Sequence, residues 1–348
     1  MIAALFLAAL LPSPQSFRPI PVAPVKVAAE PGAAPARIER GEGQVPLLLP
    51  REEELLFDVI IDLGILGDLD VGDVTLSSGL ERTPRGLPSA RDVERKVELF
   101  DRAWVKAIAK GGYAGYELTQ TLSASHLSQE WPRILYKDMQ RGSENREREL
   151  RIGMFEGALT ADYRSDRHCP GCTDHGHFVD SVWAWGDPYH CKKCKLAAHR
   201  IWRDPVHRTV PEGAVDMLSA VYIARAMVQL GVKETSFPIV DQQKVWRVKI
   251  QQGSTQWQDV PAGRFECAQM MLSAGLEPGE PKPEGGAGKF QGLFGIQGTI
   301  RIWFDAKSGV PILIQGSLPI PVPLVGDLDI SVQLKSFKGT PAGFGPAR

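Results

Sequence analysis

The chain has 348 residues, a formal net charge of -1 and 43% hydrophobic residues, a composition typical of globular proteins with one large or two modest domains. This near-neutral balance gives no reason to expect a polyanion as the main partner, so nucleic-acid binding is disfavoured. Glycine (35 residues) and proline (27 residues) are frequent, which favours short strands and many turns over long helices.

The N-terminus has the form of an export signal. Residues 2–11 are ten consecutive apolar residues, and small or helix-breaking residues follow. The run is too short to span a bilayer but matches the apolar core of a signal peptide, although no Lys or Arg precedes it. We therefore predict a cleaved signal peptide over residues 1–16 and an exported, periplasmic or cell-envelope protein. No cysteine is placed for N-terminal lipidation, and no later stretch has the length and apolarity of a transmembrane helix.

Order is expected to begin near residue 51. Residues 17–50 are rich in Pro, Ala, Gly and charge, which predicts an extended linker. From Glu54 onward apolar residues alternate with others, which predicts a strand, and a second strand follows Gly64 and Gly67 as its hairpin partner. We expect one β-rich domain over residues 51–338.

Two interpretations remain open for the next segment. Ser89 to Asp92 has the form of a helix-capping box, and apolar residues at helical spacing follow it, which predicts a short helix to about Asp101. The stretch from Trp104 through Gly111 and Gly112 to residue 122 equally fits a β-hairpin.

The rest of the domain predicts one helix between two groups of strands. Asp216 lies near the start of that helix, apolar residues from Met217 to Leu230 form a broad stripe, and Gly231 is the expected stop. The fold class is therefore mainly β (β-rich α+β), with a curved antiparallel sheet or half-barrel packed on one main helix. Residues 274–292 are expected to form a mobile loop and residues 339–348 a flexible tail. The expected strands cover residues 134–140, 146–153, 158–163, 245–251, 255–260, 265–272, 298–304, 310–316 and 328–337.

Residues 167–209 form a Cys/His-rich insertion in this domain. Four of the five cysteines and six of the seven histidines of the chain lie here. Cys169, Cys172, Cys191 and Cys194 have the spacing C-x2-C-x18-C-x2-C, which is typical of a four-thiolate zinc site. Such a closed site is structural, because it stabilises a small segment and leaves no open coordination position. We predict structural zinc as the cofactor.

Other interpretations of the insertion remain. An exported protein meets an oxidising compartment, so the four cysteines could instead form two disulfides. Four neighbouring histidines could bind additional metal or support the ligands from outside: His168, His175, His177 and His190. Three tryptophans near the cysteines supply either a small apolar core or an exposed binding surface: Trp183, Trp185 and Trp202. Cys267 lies in a predicted strand and is expected to be a buried, inert thiol.

Three segments carry a family resemblance. Residues 54–76, 215–225 and 302–314 resemble the bacterial exported family called domain of unknown function 3108, over about residues 52–338. The resemblance implies a fold similar to the LolA/LolB-like lipoprotein carriers, in which a curved antiparallel sheet wraps helices and can hold an acyl chain. It implies no agreed activity, and the cysteine insertion is not part of the family pattern.

Three functions fit these observations. The first is a non-enzymatic envelope protein that binds or escorts an apolar or lipid ligand and uses a zinc-stabilised insertion as a docking element. The second is an enzyme, either a zinc hydrolase that uses His175 or His177 or a thiol-disulfide oxidoreductase that uses Cys169 and Cys172. The third is a structural component of an envelope assembly that binds a protein partner through the tryptophan-rich insertion.

Overall fold

The computed structural model describes residues 25–26, 35–62, 64, 67–84, 99–113, 116–127, 133–142, 146–168, 200–281, 290, 292–318, 328–341 and 344–347. Within these ranges the chain forms eighteen strands and one α-helix. In chain order they are β1 (Val25–Lys26), β2 (Ala36–Ile38), β3 (Leu47–Leu49), β4 (Glu52–Asp62), β5 (Asp68–Pro84), β6 (Leu99–Tyr113), β7 (Tyr116–Leu127), β8 (Ile134–Gly142), β9 (Arg146–Phe155), β10 (Ala158–His168), β11 (Arg200–Trp202), β12 (Val206–Thr209), α1 (Met217–Leu230), β13 (Glu234–Asp241), β14 (Lys244–Val260), β15 (Gly263–Leu276), β16 (Gln297–Asp305), β17 (Pro311–Leu318) and β18 (Leu328–Lys338).

Sixteen of these strands form one large sheet. Its main order is β11-β10-β9-β8-β7-β6-β5-β4-β18-β17-β16-β15-β14-β13, and neighbours pair antiparallel. Most neighbours are consecutive in the chain, which is expected when Gly-containing turns connect alternating strands. The exception is the pairing of β4 with β18, where Phe57 lies opposite Leu334 and joins the two halves of the chain. The expected mainly β fold, a curved antiparallel sheet with one main helix, is confirmed.

Residues 206–215 connect the two outer parts of the sheet. β12 pairs with β10, and the Val210 amide continues this contact by donating to the Leu159 carbonyl. Five residues later Val215 pairs with the opposite edge: its amide donates to Pro238 O, and its carbonyl accepts from the Val240 amide in β13. Because one short segment hydrogen-bonds both β10 and β13, the two ends of the sheet are held together around the interior.

α1 begins immediately after this connection and lies inside the curve of the sheet. Asp216 is its N-cap, and its carboxylate accepts hydrogen bonds from the Leu218 and Ser219 amides. Gly231 ends the helix in the left-handed region at φ 69°. Both predicted ends are therefore confirmed. Residues 217–227 are all buried, because the sheet covers one side of α1 and other segments cover the rest.

No helix within the described ranges has both the length and the apolar character needed to cross a bilayer.

A short hairpin of β2 and β3 packs on α1, and β3 also lies close to β6. Leu47, Leu48 and Leu49 are buried and belong to the same apolar core as the helix. This corrects the expected linker over residues 17–50, because residues 35–50 contribute to the core. The Pro/Ala-rich composition obscured this role, because few residues of the segment enter the core, chiefly Val45 and the three leucines. Residues 17–24 and 27–34 lie outside the described ranges.

Strand pairing decides between the two interpretations of the segment around Trp104. The segment around Trp104 is the strand β6, which pairs along its length with β5 and β7, so the hairpin interpretation was correct and a helix to Asp101 was wrong from Leu99 onward. Two-sided strand pairing satisfies the backbone there, whereas a helix would leave both neighbouring strands unpaired. The proposed start of that helix, residues 89–92, lies outside the described ranges.

The C-terminal segment also departs from expectation. Phe344, expected in a flexible tail, stacks on Phe265 at 5.4 Å between ring centroids and contacts Phe337 edge-on at 4.6 Å. The Ala347 amide donates to the Arg264 carbonyl. Aromatic burial therefore anchors part of residues 339–348 on the sheet. The expected loop over residues 274–292 begins later than predicted, because β15 continues to Leu276.

Candidate functional site

Among the described residues, the sheet, α1 and the N-terminal hairpin border two cavities that are partly open to solvent. The larger has a volume of about 610 Å³, and we call it the arginine-lined cavity. The smaller has about 60 Å³, and we call it the apolar cavity. The arginine-lined cavity is bounded by Ala36, Arg37, Ile38, Glu39, Arg40, Leu47, Arg51, Leu80, Ala103, His126, Leu127, Arg133, Ile134, Ile152, Met154, Leu159, Glu212, Gly213, Ala214 and Val215.

Strands β5 to β10 supply the apolar part of the arginine-lined cavity. Leu80, Ala103, Ile134 and Ile152 line it, each from a different strand. Strand alternation directs these residues to the interior, since successive side chains point to opposite faces of a sheet. Ala103 pairs directly with His126 in the β6–β7 ladder, and its single methyl group leaves space beside the imidazole.

Four arginines and two glutamates line the same cavity. Arg37 and Glu39 form an ion pair with each other. Arg40 is held differently, because its two terminal nitrogens donate to backbone carbonyls, Nη1 to Val45 at 3.1 Å and Nη2 to Gly213 at 2.8 Å. Its guanidinium also lies 4.6 Å from the centroid of the Phe237 ring. Burial lowers the pKa of Arg40 to about 10, so it stays cationic at neutral pH.

His126 contributes a buried imidazole to the wall of this cavity. Only 3% of the residue is exposed, and its Nε2 lies 3.4 Å from Ser219 Oγ. The Ser219 hydroxyl donates to Asp216 Oδ2 at 2.5 Å, so it can only accept from the imidazole. Burial lowers the pKa of His126, against the opposing effect of the Asp216 carboxylate. Nδ1 has no hydrogen-bond partner among the described residues.

A row of polar side chains runs along buried α1 at three-residue spacing: Asp216, Ser219, Tyr222 and Arg225. Successive members of this row are offset by about 60° around the helix axis, so the row winds around α1, and Asp216 and Arg225 lie on opposite sides of it. Arg225 forms a two-pronged ion pair with Glu53 of β4, at 2.7 and 3.0 Å, and both side chains are almost fully buried. Burial raises the pKa of Tyr222, and the nearby Glu53 carboxylate raises it further.

In these contacts polar groups pair with one another: Ser219 with Asp216, and Arg225 with Glu53. Ser219 gives its proton to Asp216 rather than to His126, so the imidazole is not arranged to activate that hydroxyl as a nucleophile. Asp216 in turn serves the helix N-terminus, where a carboxylate is favoured by the exposed amides. The row therefore orients α1 in the sheet and fixes the environment of His126.

The apolar cavity lies between the first half of α1 and the strands β4 to β6 and β13 to β18. Its lining is apolar apart from Ser273. It is bounded by Phe57, Val74, Leu76, Ala107, Met217, Leu218, Ala220, Val221, Ile239, Val248, Leu272, Ser273, Ala274, Phe290, Leu293, Phe294, Ile296, Gly298, Ile300, Ile302, Ile314 and Val332.

The predicted zinc ligands Cys169, Cys172, Cys191 and Cys194 lie outside the described residues, as do His175, His177 and His190. His168 is the last residue of β10, and its backbone pairs with Arg200 at the start of β11. The two ends of segment 169–199 are therefore adjacent at an edge of the sheet. The insertion begins later and ends earlier than the expected residues 167–209, because β11 and β12 belong to the main sheet.

Two further residues can be placed: one more histidine of segment 167–209, His207, and the fifth cysteine, Cys267. His207 is exposed and its Nδ1 lies 2.7 Å from Asp162 Oδ1, a hydrogen-bond contact between β12 and β10 at the surface. Cys267 is fully buried, as expected, and burial raises its pKa to about 12, which disfavours the reactive thiolate. Within the described ranges no three His, Cys, Asp or Glu side chains are grouped closely enough to hold a metal ion. The cysteine prediction itself stays a prediction.

Sequence reasoning did not find the arginine-lined cavity. Arg40, His126 and Arg133 come from three distant parts of the chain, and nothing in their local sequence distinguishes them from ordinary surface residues. The polar row on α1 did have a signal, because Ser219 and Arg225 interrupt an otherwise apolar helix at regular spacing.

Comparisons with known proteins give the following. No protein-family model matches the chain, and no curated protein sequence matches it, so the resemblance to family 3108 stays a prediction. Among solved structures, the chain is similar to a beta-barrel-like protein of domain of unknown function DUF1849 from Brucella abortus, with 8% sequence identity and a TM-score of 0.41. That similarity covers 84% of this chain and 98% of the other chain.

Proposed function

We propose that this protein binds an amphipathic, lipid-like ligand without converting it chemically, and that the arginine-lined cavity is the binding site. The observation that carries the proposal is a cavity of about 610 Å³ that combines an apolar wall with arginines. Small-molecule sites are typically about 300–1,000 Å³ and mostly apolar, with a few placed polar groups. A ligand with both an apolar and a polar part matches this wall.

The apolar cavity has a different role in this proposal. Its volume of about 60 Å³ is well below the roughly 150 Å³ that holds benzene in an engineered protein cavity. An acyl terminus can therefore enter it only if side chains of its lining move. The larger cavity needs no such rearrangement and is therefore the site we assign to the ligand.

The proposal extends to location and to the insertion. Export to the periplasm or cell envelope is supported by the apolar N-terminal run of residues 2–11. A structural zinc ion on Cys169, Cys172, Cys191 and Cys194 is supported by their spacing. Because the ends of segment 169–199 meet at paired strands, the insertion has the connections of an appended module, and we propose that it docks an envelope partner.

The experiment compares two substitutions on one strand. Ala103 lines the arginine-lined cavity and Ala107 the apolar cavity; both are on β6, four residues apart on its buried face. Ala103→Leu and Ala107→Leu add the same volume, so each has the same general risk of overpacking. Binding of a fluorescent fatty acid is measured on the purified protein after removal of co-purified lipid, with circular dichroism to check folding.

We expect Ala103→Leu to weaken binding by about tenfold or more, which corresponds to about 1.4 kcal/mol, and Ala107→Leu to have little effect. Native mass spectrometry of the untreated protein should show a bound lipid mass. Failure of the wild-type protein to bind any amphiphile contradicts the proposal. Loss of binding in Ala107→Leu alone would move the site to the apolar cavity.

A further inference from the structure

We infer that the arginine-lined cavity recognises a head group that is anionic and also donates a hydrogen bond, so that its ligand class is an anionic lipid with a free hydroxyl group. The inference rests on the proposed function, because it names the ligand chemistry of the same cavity. It is carried by two observations in the wall of that cavity: the partners of Arg40 and the unpartnered Nδ1 of His126.

The first observation is a positive charge without a carboxylate partner. Arg40 donates only to the carbonyls of Val45 and Gly213, and its Nε is buried without a hydrogen-bond partner among the described residues. Carbonyls satisfy donors but do not neutralise charge, and because Arg40 is half-buried, a nearby anion would stabilise its guanidinium. Arg133 lines the same cavity from the β7–β8 connection, on a different element. Cations thus reach the cavity from two sides.

The guanidinium group defines which anion fits. Its planar fork matches the oxygens of a phosphate or carboxylate and is bound less tightly by water than an ammonium group. Of the two glutamates in the wall, Glu39 is already paired with Arg37. Besides that pair the wall has three arginines and Glu212, so its net charge stays positive and favours an anionic group, which an acidic lipid head supplies.

The second observation fixes the direction of a hydrogen bond. Because Ser219 Oγ donates to Asp216, the hydrogen that His126 directs toward Ser219 must lie on Nε2. Burial favours the neutral imidazole, so Nδ1 carries a lone pair and accepts. A deprotonated phosphate oxygen cannot fill this position, because it has no proton to donate. A hydroxyl group can, and because Nδ1 is buried, a neighbouring side chain has to move for the hydroxyl to reach it. A head group with phosphate and hydroxyl then has a partner group for Arg40 and one for His126, which line the same cavity.

The test uses three short-chain lipids with identical tails, titrated into the purified protein by isothermal calorimetry. Phosphatidylglycerol is anionic and has hydroxyl groups, phosphatidylmethanol is anionic and lacks them, and phosphatidylcholine has no net charge and no hydroxyl donor. We expect phosphatidylglycerol to bind about tenfold more tightly than phosphatidylmethanol and phosphatidylcholine to bind most weakly. Glycerol phosphate is the fourth probe and has the head-group chemistry without a tail.

Three variants assign the effects to residues. Arg133→Gln should weaken both anionic lipids several-fold and leave phosphatidylcholine unchanged, whereas Lys307→Gln removes one exposed positive charge outside the cavity and should change nothing. His126→Phe should abolish the preference for phosphatidylglycerol over phosphatidylmethanol. If this variant does not fold, the comparison of these two lipids on the wild-type protein still decides the hydroxyl preference.

Each outcome separates this inference from the proposed function. Equal affinity for all three lipids overturns the head-group inference and leaves an amphiphile-binding cavity. Equal affinity for the two anionic lipids overturns the assigned role of His126. Glycerol phosphate that binds as tightly as phosphatidylglycerol supports the head-group chemistry but overturns the lipid as its source. Absence of binding by all four probes overturns the head-group inference alone if the fluorescent fatty acid still binds, and it overturns the proposed function as well if the fatty acid does not bind.

Discussion

Arg225 and Glu53 form a two-pronged ion pair between α1 and β4, with N–O distances of 2.7 and 3.0 Å and side chains that are 3% and 1% exposed. These residues are 172 positions apart in the chain. Because a guanidinium and a carboxylate must meet in one geometry inside an apolar interior, the pair sets the rotation of α1 about its axis. Replacing either residue alone leaves the other as a buried charge without a partner.

We expect Glu53→Gln and Arg225→Met to lower the free energy of unfolding by about 3–5 kcal/mol each. The double variant should lose clearly less than the sum, because it removes both charges together. Urea unfolding followed by circular dichroism measures the double-mutant cycle. Lys335→Met, which breaks an exposed pair with Asp58, is the control and should cost no more than about 1 kcal/mol. Additive losses from Glu53 and Arg225 would contradict a coupled pair.

Asp216 is predicted to stabilise α1 through both carboxylate oxygens. Oδ1 accepts from the Leu218 and Ser219 amides, and Oδ2 accepts from the Ser219 hydroxyl. Asp216→Ala leaves the Leu218 and Ser219 amides without their acceptor and should cost about 2 kcal/mol, the upper end of measured N-cap effects, because the site is buried. Asp216→Asn keeps one oxygen acceptor and should cost less. Thermal unfolding compares the two variants. Equal destabilisation by both would indicate that the negative charge matters more than the hydrogen bonds.

Stability is predicted to depend on the ionisation of Asp241 at the end of β13. Burial raises its pKa to about 6, assisted by Asp138 and opposed mainly by Arg148. The unfolded value is near 3.8, so between about pH 4 and 6 the folded state binds more protons. The contribution of this group to the free energy of unfolding is therefore greatest at or below about pH 4. It falls between about pH 4 and 6 and is constant above about pH 6.

Asp241→Asn removes this titration and should raise stability at pH 7 by up to about 3 kcal/mol, the free energy of a shift of about two pKa units. The gain should shrink toward pH 4. Urea unfolding of both proteins at pH 4.5, 6 and 7.5 measures it, and Asp259→Asn at an exposed position is the matched control. A gain that does not change with pH would contradict ionisation as the cause.

The N-terminal hairpin is predicted to be part of the stable domain. A chain that starts at Arg51 loses Leu47, Leu48 and Leu49, which are buried against α1, and each buried leucine contributes about 1.5–3 kcal/mol. We expect this chain to unfold at much lower urea concentration or to aggregate. A chain that starts at Pro35 keeps the hairpin and serves as control. Equal stability of the two would contradict a core role for β3.

Cys169→Ser is predicted to unfold segment 169–199 and leave the sheet folded. The reason is that β10 and β11 pair where the segment leaves and re-enters, so its ends stay joined without it. Hydrogen exchange detected by mass spectrometry, with zinc content and free-thiol titration on the same sample, tests this. Loss of protection throughout the sheet would show that the segment is not an independent module. Absence of zinc with four oxidised cysteines would replace the metal by two disulfides.

Much of the local structure could be read from the sequence, because its causes are local. Alternating residues from Glu54 predict β4, and Asp216 and Gly231 mark the ends of α1 because caps depend on a few neighbouring backbone groups. The burial of Cys267 also followed from its apolar strand. The candidate site was not predictable in the same way, because Arg40, His126 and Arg133 acquire their role from elements far apart in the chain.

The sequence by itself therefore determined the mainly β class, most strands and hairpins, the capped helix and the cysteine spacing, since these follow from side-chain period, turn chemistry and ligand distance along the chain. Only the tertiary structure decided that residues 206–215 join the two sides of the sheet, that the leucines of β3 enter the core, and that Glu53 meets Arg225. It also decided that a cavity bears arginines beside His126. These features depend on long-range packing, in which a residue's partners are chosen by the whole fold rather than by its neighbours.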